Sequence, residues 1–198
     1  MKKRLLALTI GAALLVVIGG GITYYYYSSQ YTAQQGIIVD FVTERDTKPM
    51  LKLFHDDWYW LFPGPDYSPE YILKHKAPGD EPYQERYKGK LQIKVIIKDG
   101  KLAGFTTYYK KNFYEGIVQF VAVSPEFRRQ GLGRILAEHA VNELFKMGNI
   151  KVTLTTRLNN PARRIYERMG FKKTGGDGEF VFYAITKKEF KPTFLAVS

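Results

Sequence analysis

The sequence predicts an α/β domain built on a mixed, mostly antiparallel sheet flanked by helices and preceded by one transmembrane helix. Three observations carry this reading. Two β-branched runs, Leu91–Ile97 and Leu102–Tyr109, are separated by Lys98-Asp99-Gly100-Lys101, and Asp-Gly between such runs is a strong hairpin signal. Downstream, two runs of helical period alternate with strand patterns. At the start, Leu5–Ile22 is an apolar run of eighteen residues without a charge.

Composition narrows the class. With 198 residues, 45% of them hydrophobic and 15% aromatic, the chain suits one domain with an appendage and is not disordered. The formal net charge of +11 favours an anionic partner, whether nucleic acid, an acidic membrane surface or a polyanionic cofactor, and charge alone does not choose among them. The absence of cysteine excludes disulfides, a thiol nucleophile and a thiolate metal site. His55, His75 and His139 are scattered, so no metal site is expected.

Taken in order, Lys2-Lys3-Arg4 precedes the apolar run and Tyr24-Tyr25-Tyr26-Tyr27 follows it. As a helix the run would be roughly 27 Å long, close to a hydrocarbon core, and tyrosines suit the interface. A cleaved signal peptide is disfavoured, because Tyr31-Thr32-Ala33 puts a bulky residue at the first small position of a cleavage site. Residues 1–27 thus read as a signal-anchor and 28–35 as a linker. The next basic residue is Arg45, so the charge asymmetry places the N-terminus in the cytoplasm and the domain on the non-cytoplasmic side.

Ile37–Val42 reads as a strand and Thr43–Lys48 as a charged turn. Pro49 opens a helix over Met50–Trp60, and Phe62–Asp66 closes it. Ser68 caps a short helix through Lys76, and Ala77–Tyr87 is a loop. Trp58, Tyr59, Trp60 and Tyr67 are read as core packing. After the hairpin, Gly116–Val123 is a buried strand stopped by Ser124-Pro125. Arg128-Arg129-Gln130-Gly131-Leu132-Gly133 then opens a helix marked by Leu132, Ile135, Leu136, Ala140, Leu144 and Met147, which ends at Gly148-Asn149.

A glycine-rich entry to a helix N-terminus beside two arginines suits a phosphate, and it equally suits a plain tight turn. The spacing matches neither the Rossmann nor the P-loop pattern. Ile150–Thr156 is a strand, and Asn159-Asn160-Pro161 starts a helix with Ala162, Ile165, Tyr166 and Met169 on one face. Gly170 ends it, and Phe171–Thr174 and Phe180–Ile185 close the domain around the turn Gly175–Gly178.

Two motifs in this order resemble the GNAT superfamily of acyl-CoA-dependent N-acetyltransferases. The first, Gln/Arg-x-x-Gly-x-Gly/Ala after an apolar strand, is met by Arg128, Gly131 and Gly133; the second, Asn-x-x-Ala-x-x-x-Tyr-x-x-x-Gly-Phe, by Asn159, Ala162, Tyr166, Gly170 and Phe171. The resemblance covers residues 36–190 and leaves 191–198 as a tail. It implies a GNAT-like sheet whose fourth and fifth strands splay apart to admit acetyl-CoA as co-substrate. Val121, Ala122 and Val123 would offer backbone to the pantetheine arm. Arg128, Arg129, Gln130, Gly131, Leu132, Gly133 and Arg134 would hold the pyrophosphate, and Asn159 and Ala162 the pantetheine region. Tyr166 would act as the general acid on the departing sulfur, although its place on an apolar face also suits a core aromatic.

The resemblance further implies direct attack of an amine acceptor in a ternary complex, here on a membrane-anchored acyltransferase. Where family members carry a glutamate on the fourth strand, this chain has Ile117 and Gln119. Glu115 is the candidate base, on the same side by alternation provided that no bulge intervenes. The alternative is a non-catalytic, membrane-tethered GNAT-like CoA-binding or interaction module. No nucleic acid is expected. The outward orientation conflicts with a cofactor made in the cytoplasm.

Overall fold

Strand-forming, β-branched segments dominate residues 91–123 and 150–186, and with Ile37–Asp40 they build one seven-stranded sheet. The computed structural model describes residues 36–61 and 91–192. The signal-anchor over 1–27, the linker over 28–35, the helix expected from Ser68, the loop Ala77–Tyr87 and most of the tail lie outside the described residues. Among the described residues no helix is long and apolar enough to cross a membrane.

The elements are β1 (Ile37–Asp40), α1 (Thr43–Asp56), α2 (Trp58–Leu61), β2 (Gln92–Lys98), β3 (Lys101–Lys110), β4 (Glu115–Val123), a 3-10 turn at Pro125–Phe127, α3 (Leu132–Lys146), β5 (Lys151–Arg157), α4 (Arg163–Arg168), β6 (Lys172–Gly176) and β7 (Phe180–Thr186). The strand order is β1-β2-β3-β4-β5-β7-β6. All neighbours are antiparallel except β4 and β5, which the crossover through α3 makes parallel. The expected hairpin forms: Asp99 (φ 51°) and Gly100 (φ 74°) both take the left-handed conformations of a type I′ turn.

One expectation fails at α1. The stretch Thr43–Lys48 is helical, not a turn, and Pro49 lies inside the helix instead of opening it. The buried Asp46 carboxylate accepts the Val42 N–H at 2.8 Å and is gripped by the Arg45 guanidinium, which fixes the first turn six residues ahead of the proline. Burial opposes the charge on Asp46, and these bonds more than offset it, leaving its carboxyl below the ordinary value. The expected single helix also breaks at Asp57 into α1 and the four-residue α2.

The sheet is covered on both faces. On one, Met50, Leu53 and Phe54 of α1 pack on Ile93, Val95, Phe105 and Phe120; on the other, Ala140, Val141 and Leu144 of α3 pack on Val118, Val152 and Tyr183. Fully burying a side chain of this size contributes about 2 kcal/mol. These two layers hold β4 at the centre, where the site forms.

Candidate active site

The β4 strand is regular at its start and broken in its middle. Its ladder with β5 has three rungs, Glu115↔Lys151, Gly116↔Val152 and Ile117↔Thr153, and then stops. On the other side, Tyr108 pairs with Val118 and Thr107 with Phe120, so Gln119 is an extra residue, a β-bulge. The Thr106 hydroxyl donates to the Phe120 carbonyl beside it at 3.0 Å. The bulge exchanges the faces of the strand: Val118 packs under α3, whereas Phe120 and Ala122 pack under α1. It also bends β4, and the two strands diverge around a cleft of about 920 Å³.

The free edge of β4 lines that cleft. Ser124 N–H bonds the Ala103 carbonyl, which makes 103 and 124 a hydrogen-bonded pair; by alternation Ala122 also bonds β3, and Val121 and Val123 turn their backbone groups toward the cleft. The Val123 carbonyl accepts Arg128 Nε at 2.9 Å. Past the 3-10 turn, Arg129 (φ 62°) and Gly131 (φ 83°) are left-handed, and a Cβ on Gly131 would meet nothing within 4 Å. Holding Arg129 there costs about 1 kcal/mol. Among the described residues, the backbone N–H groups of Arg129, Gln130, Gly131, Leu132 and Gly133 have no acceptor, while that of Arg134 bonds the Gly131 carbonyl. Five such donors at the start of a fifteen-residue helix make an anion cradle.

The cleft as a whole is basic. The lining carries Arg128, Arg129, Arg134, Arg157 and Arg168 against Asp57 and Asp177. Arg128 Nη2 donates to both carboxylate oxygens of Asp57, at 2.7 and 2.8 Å, Arg134 pairs with Glu138 at 2.7 Å, and Arg157 pairs with Glu179. Arg129 and Arg168 have no ion pair among the described residues, so their charges are available to an anion.

Across the cleft, Asn160 Oδ1 accepts the Ala162 N–H at 2.9 Å and starts the turn that leads into α4. Tyr166 on this helix both lines the cleft and packs into the core, its ring centroid 6.1 Å from Phe171 and 6.4 Å from Tyr183. Burial pushes its phenol up to about 12. Its hydroxyl has no hydrogen-bond partner among the described residues, so it remains a protonated donor.

Of the residues singled out in the sequence, Val121, Ala122, Val123, Arg128, Arg129, Gly131, Leu132, Gly133, Arg134, Ala162 and Tyr166 line the cleft; Gln130, Asn159 and Glu115 do not. Gln130 Oε1 accepts Lys98 Nζ at 2.6 Å, and Asn159 Nδ2 donates to the Tyr59 hydroxyl at 3.1 Å. Glu115 sits at the closed end of the β4–β5 join, where it accepts Thr153 Oγ1 at 2.8 Å and lies 3.6 and 3.5 Å from Lys111 and Lys151. Burial alone would raise its pKa, but the Thr153 bond and the two lysines bring it below the ordinary value, which suits a structural ion pair and not a proton acceptor. The bulge at Gln119 removes the alternation argument that aligned Glu115 with the cleft-facing residues.

The lining residues that sequence reasoning missed include Trp60, Leu61, Arg157, Arg168, Phe180 and Phe182. Trp60, read as core, is 39% exposed on the cleft wall, and among the described residues of that cluster Trp58 packs on the core beneath α1.

Comparison with known proteins agrees with this geometry. The profile of the acetyltransferase (GNAT) family matches residues 48–171. The [ribosomal protein bS18]-alanine N-acetyltransferase of Escherichia coli (strain K12) is 37% identical over 79 residues, 39% of this chain and 53% of the relative, so the chain spans about half the length of the curated relatives it matches. The crystal structure of the ribosomal-protein-S18-alanine N-acetyltransferase from Escherichia coli superposes with a TM-score of 0.55 at 24% identity, covering 76% of this chain and 93% of that one. The PaiA N-acetyltransferase from Thermoplasma acidophilum, solved in complex with coenzyme A, gives a TM-score of 0.57 at 19% identity over 76% and 98%. Acetyl-CoA is the co-substrate of this family, and the open β4 edge and the unpaired N–H cradle fit it. With the matched profile spanning both motifs and the cleft between them, the chain belongs to the GNAT acetyltransferase family.

Proposed function

We propose that this protein is an N-acetyltransferase that moves an acetyl group from acetyl-CoA to an amine on a peptide or protein. One observation carries the reading: β4 and β5 separate after three rungs, and the cleft between them is lined by an open strand edge, free N–H groups at a helix start and a protonated tyrosine. The activity named for the bS18-alanine relatives supports a peptide or protein acceptor. Acetyl-CoA supplies the activated acyl thioester. The backbone of Val121 and Val123 aligns the arm, and the Arg129–Gly133 amides with Arg129 and Arg168 hold the phosphates.

The acceptor amine attacks directly in a ternary complex, since the chain has no cysteine to carry the acyl group as a thioester. Tyr166 donates its proton to the departing sulfur. Burial keeps this phenol protonated at every working pH, and the same low polarity raises the proton affinity of the sulfur it faces. Among the described residues of the cleft the carboxylates are engaged, Asp57 by Arg128 and Asp177 by the Glu179 and Phe180 N–H groups. The amine arrives neutral or loses its proton to water.

Leu5–Ile22, with its basic lead and tyrosine belt, supports a single-pass anchor. Lys2, Lys3 and Arg4 support a domain outside the cytoplasm, and a reporter fused to the C-terminus of the full chain reads the side directly. The enzymatic reading is tested by thermal shift of the full chain in detergent. Millimolar acetyl-CoA should raise the melting temperature by several degrees. No shift at that concentration would sink the proposal and leave a tethered, non-catalytic module.

A further inference from the structure

We propose that Arg157 is a positioning residue that holds the acceptor side of the cleft, a role that rests on the acetyltransferase reading above. Arg157 ends β5 and is 8% exposed, an unusual place for a guanidinium. Its Nε donates to the Tyr59 carbonyl at 2.5 Å, its Nη1 pairs with Glu179, and its Cζ lies 4.3 Å from the Tyr59 ring centroid and 5.0 Å from that of Phe180. These partners belong to two segments, α2 and the stretch that runs from the turn after β6 into the start of β7.

Those segments form the wall of Trp60, Leu61, Phe180 and Phe182, which offers no group to a phosphate and is the part of the cleft left for the acceptor. Four residues are too few for a helix to hold itself. The α2 segment is instead bolted from outside: Arg128 grips Asp57 at one end, and Arg157 and Asn159 grip the carbonyl and the hydroxyl of Tyr59 in the middle. Arg157 reaches both segments, and its planar fork is what lets one side chain satisfy a carbonyl and a carboxylate while stacking between two rings. A lysine keeps the charge and loses the fork. Arg157 thereby sets the spacing of the acceptor wall while leaving the phosphate cradle untouched.

Trp58 and Trp60 are the two tryptophans of the chain, and both lie in α2, Trp60 on the cleft wall and Trp58 on the core beneath α1, so tryptophan fluorescence reports on the seating of this segment. In the full-length protein, Arg157→Lys should raise acrylamide quenching of that fluorescence about two-fold, with acetyl-CoA affinity by calorimetry within about two-fold of wild type. With an alanine-starting hexapeptide as acceptor probe, its KM should rise about ten-fold while the KM for acetyl-CoA stays level. Glu179→Gln, on the exposed turn, should give a smaller change in the same direction and serves if Arg157→Lys does not fold. Unchanged quenching in the folded variants, or equal losses toward peptide and acetyl-CoA, would overturn the proposal. If the wild type turns over no peptide, the peptide-acceptor reading fails by itself, and quenching decides the role of Arg157.

Discussion

Tyr166 concentrates the proposed chemistry in one hydroxyl, and its two environments make separate demands. The ring belongs to the core under α3, so phenylalanine fills its place without a cavity. Tyr166→Phe should therefore keep the melting temperature and the acetyl-CoA KM, within about three-fold, and lower kcat about 100-fold, measured by steady-state release of free thiol. Glu115 makes the opposite prediction. Its folded pKa is depressed, so the stability it contributes is present above the ordinary carboxylate pKa of about 4.3 and is lost as pH falls through the folded value. Glu115→Gln should melt earlier than wild type at pH 7, and the two should converge in acid, with turnover per folded molecule retained. A pH series of thermal melts checks the convergence.

At the scale of elements, the motifs made the glycine-rich entry to α3 and the start of α4 legible in the sequence, because capping asparagine, proline and glycine act within a few residues of themselves. The bulge at Gln119 was not. Buried and partly buried residues alternate without interruption from Glu115 to Val123, and since both faces of the sheet are covered, a change of face leaves no mark on the hydrophobic pattern. Arg157 was hidden for a different reason: a charged strand end reads as solvated, and its carbonyl and carboxylate partners lie 98 and 22 residues away in the chain. Close approach of β3 and β4 is likewise written in one glycine. A Cβ on Gly104 would stand 2.5 Å from the Ala122 carbonyl and 3.1 Å from Leu136 Cδ1, and backbone on a central strand cannot yield. Gly104→Ala should cost about 2 kcal/mol or more in urea unfolding and should weaken acetyl-CoA binding, because β4 is displaced just before the cradle.

Across the whole molecule, the net positive charge acquires a use in the two unpaired arginines and the N–H cradle. Acetyl-CoA affinity should fall several-fold between about 0.05 and 0.5 M salt, as the Debye length shortens from roughly 14 to 4 Å, and calorimetry at the two ionic strengths checks it. The α/β class and strand succession were readable in advance, whereas the break of the helix at Asp57 and the pinning of α2 depend on contacts brought together only by the complete fold. The three-rung join has one more consequence, for amide exchange. Val121 and Val123 sit on the central strand of a seven-stranded sheet, yet their N–H groups face the cleft and lack a ladder partner. They should trade protons with solvent as quickly as a surface loop while Ala122 between them stays protected, and they should slow sharply once a ligand completes the strand edge. Two adjacent clocks running at different rates inside one strand would let nuclear magnetic resonance time the occupancy of the cleft without any label on the ligand.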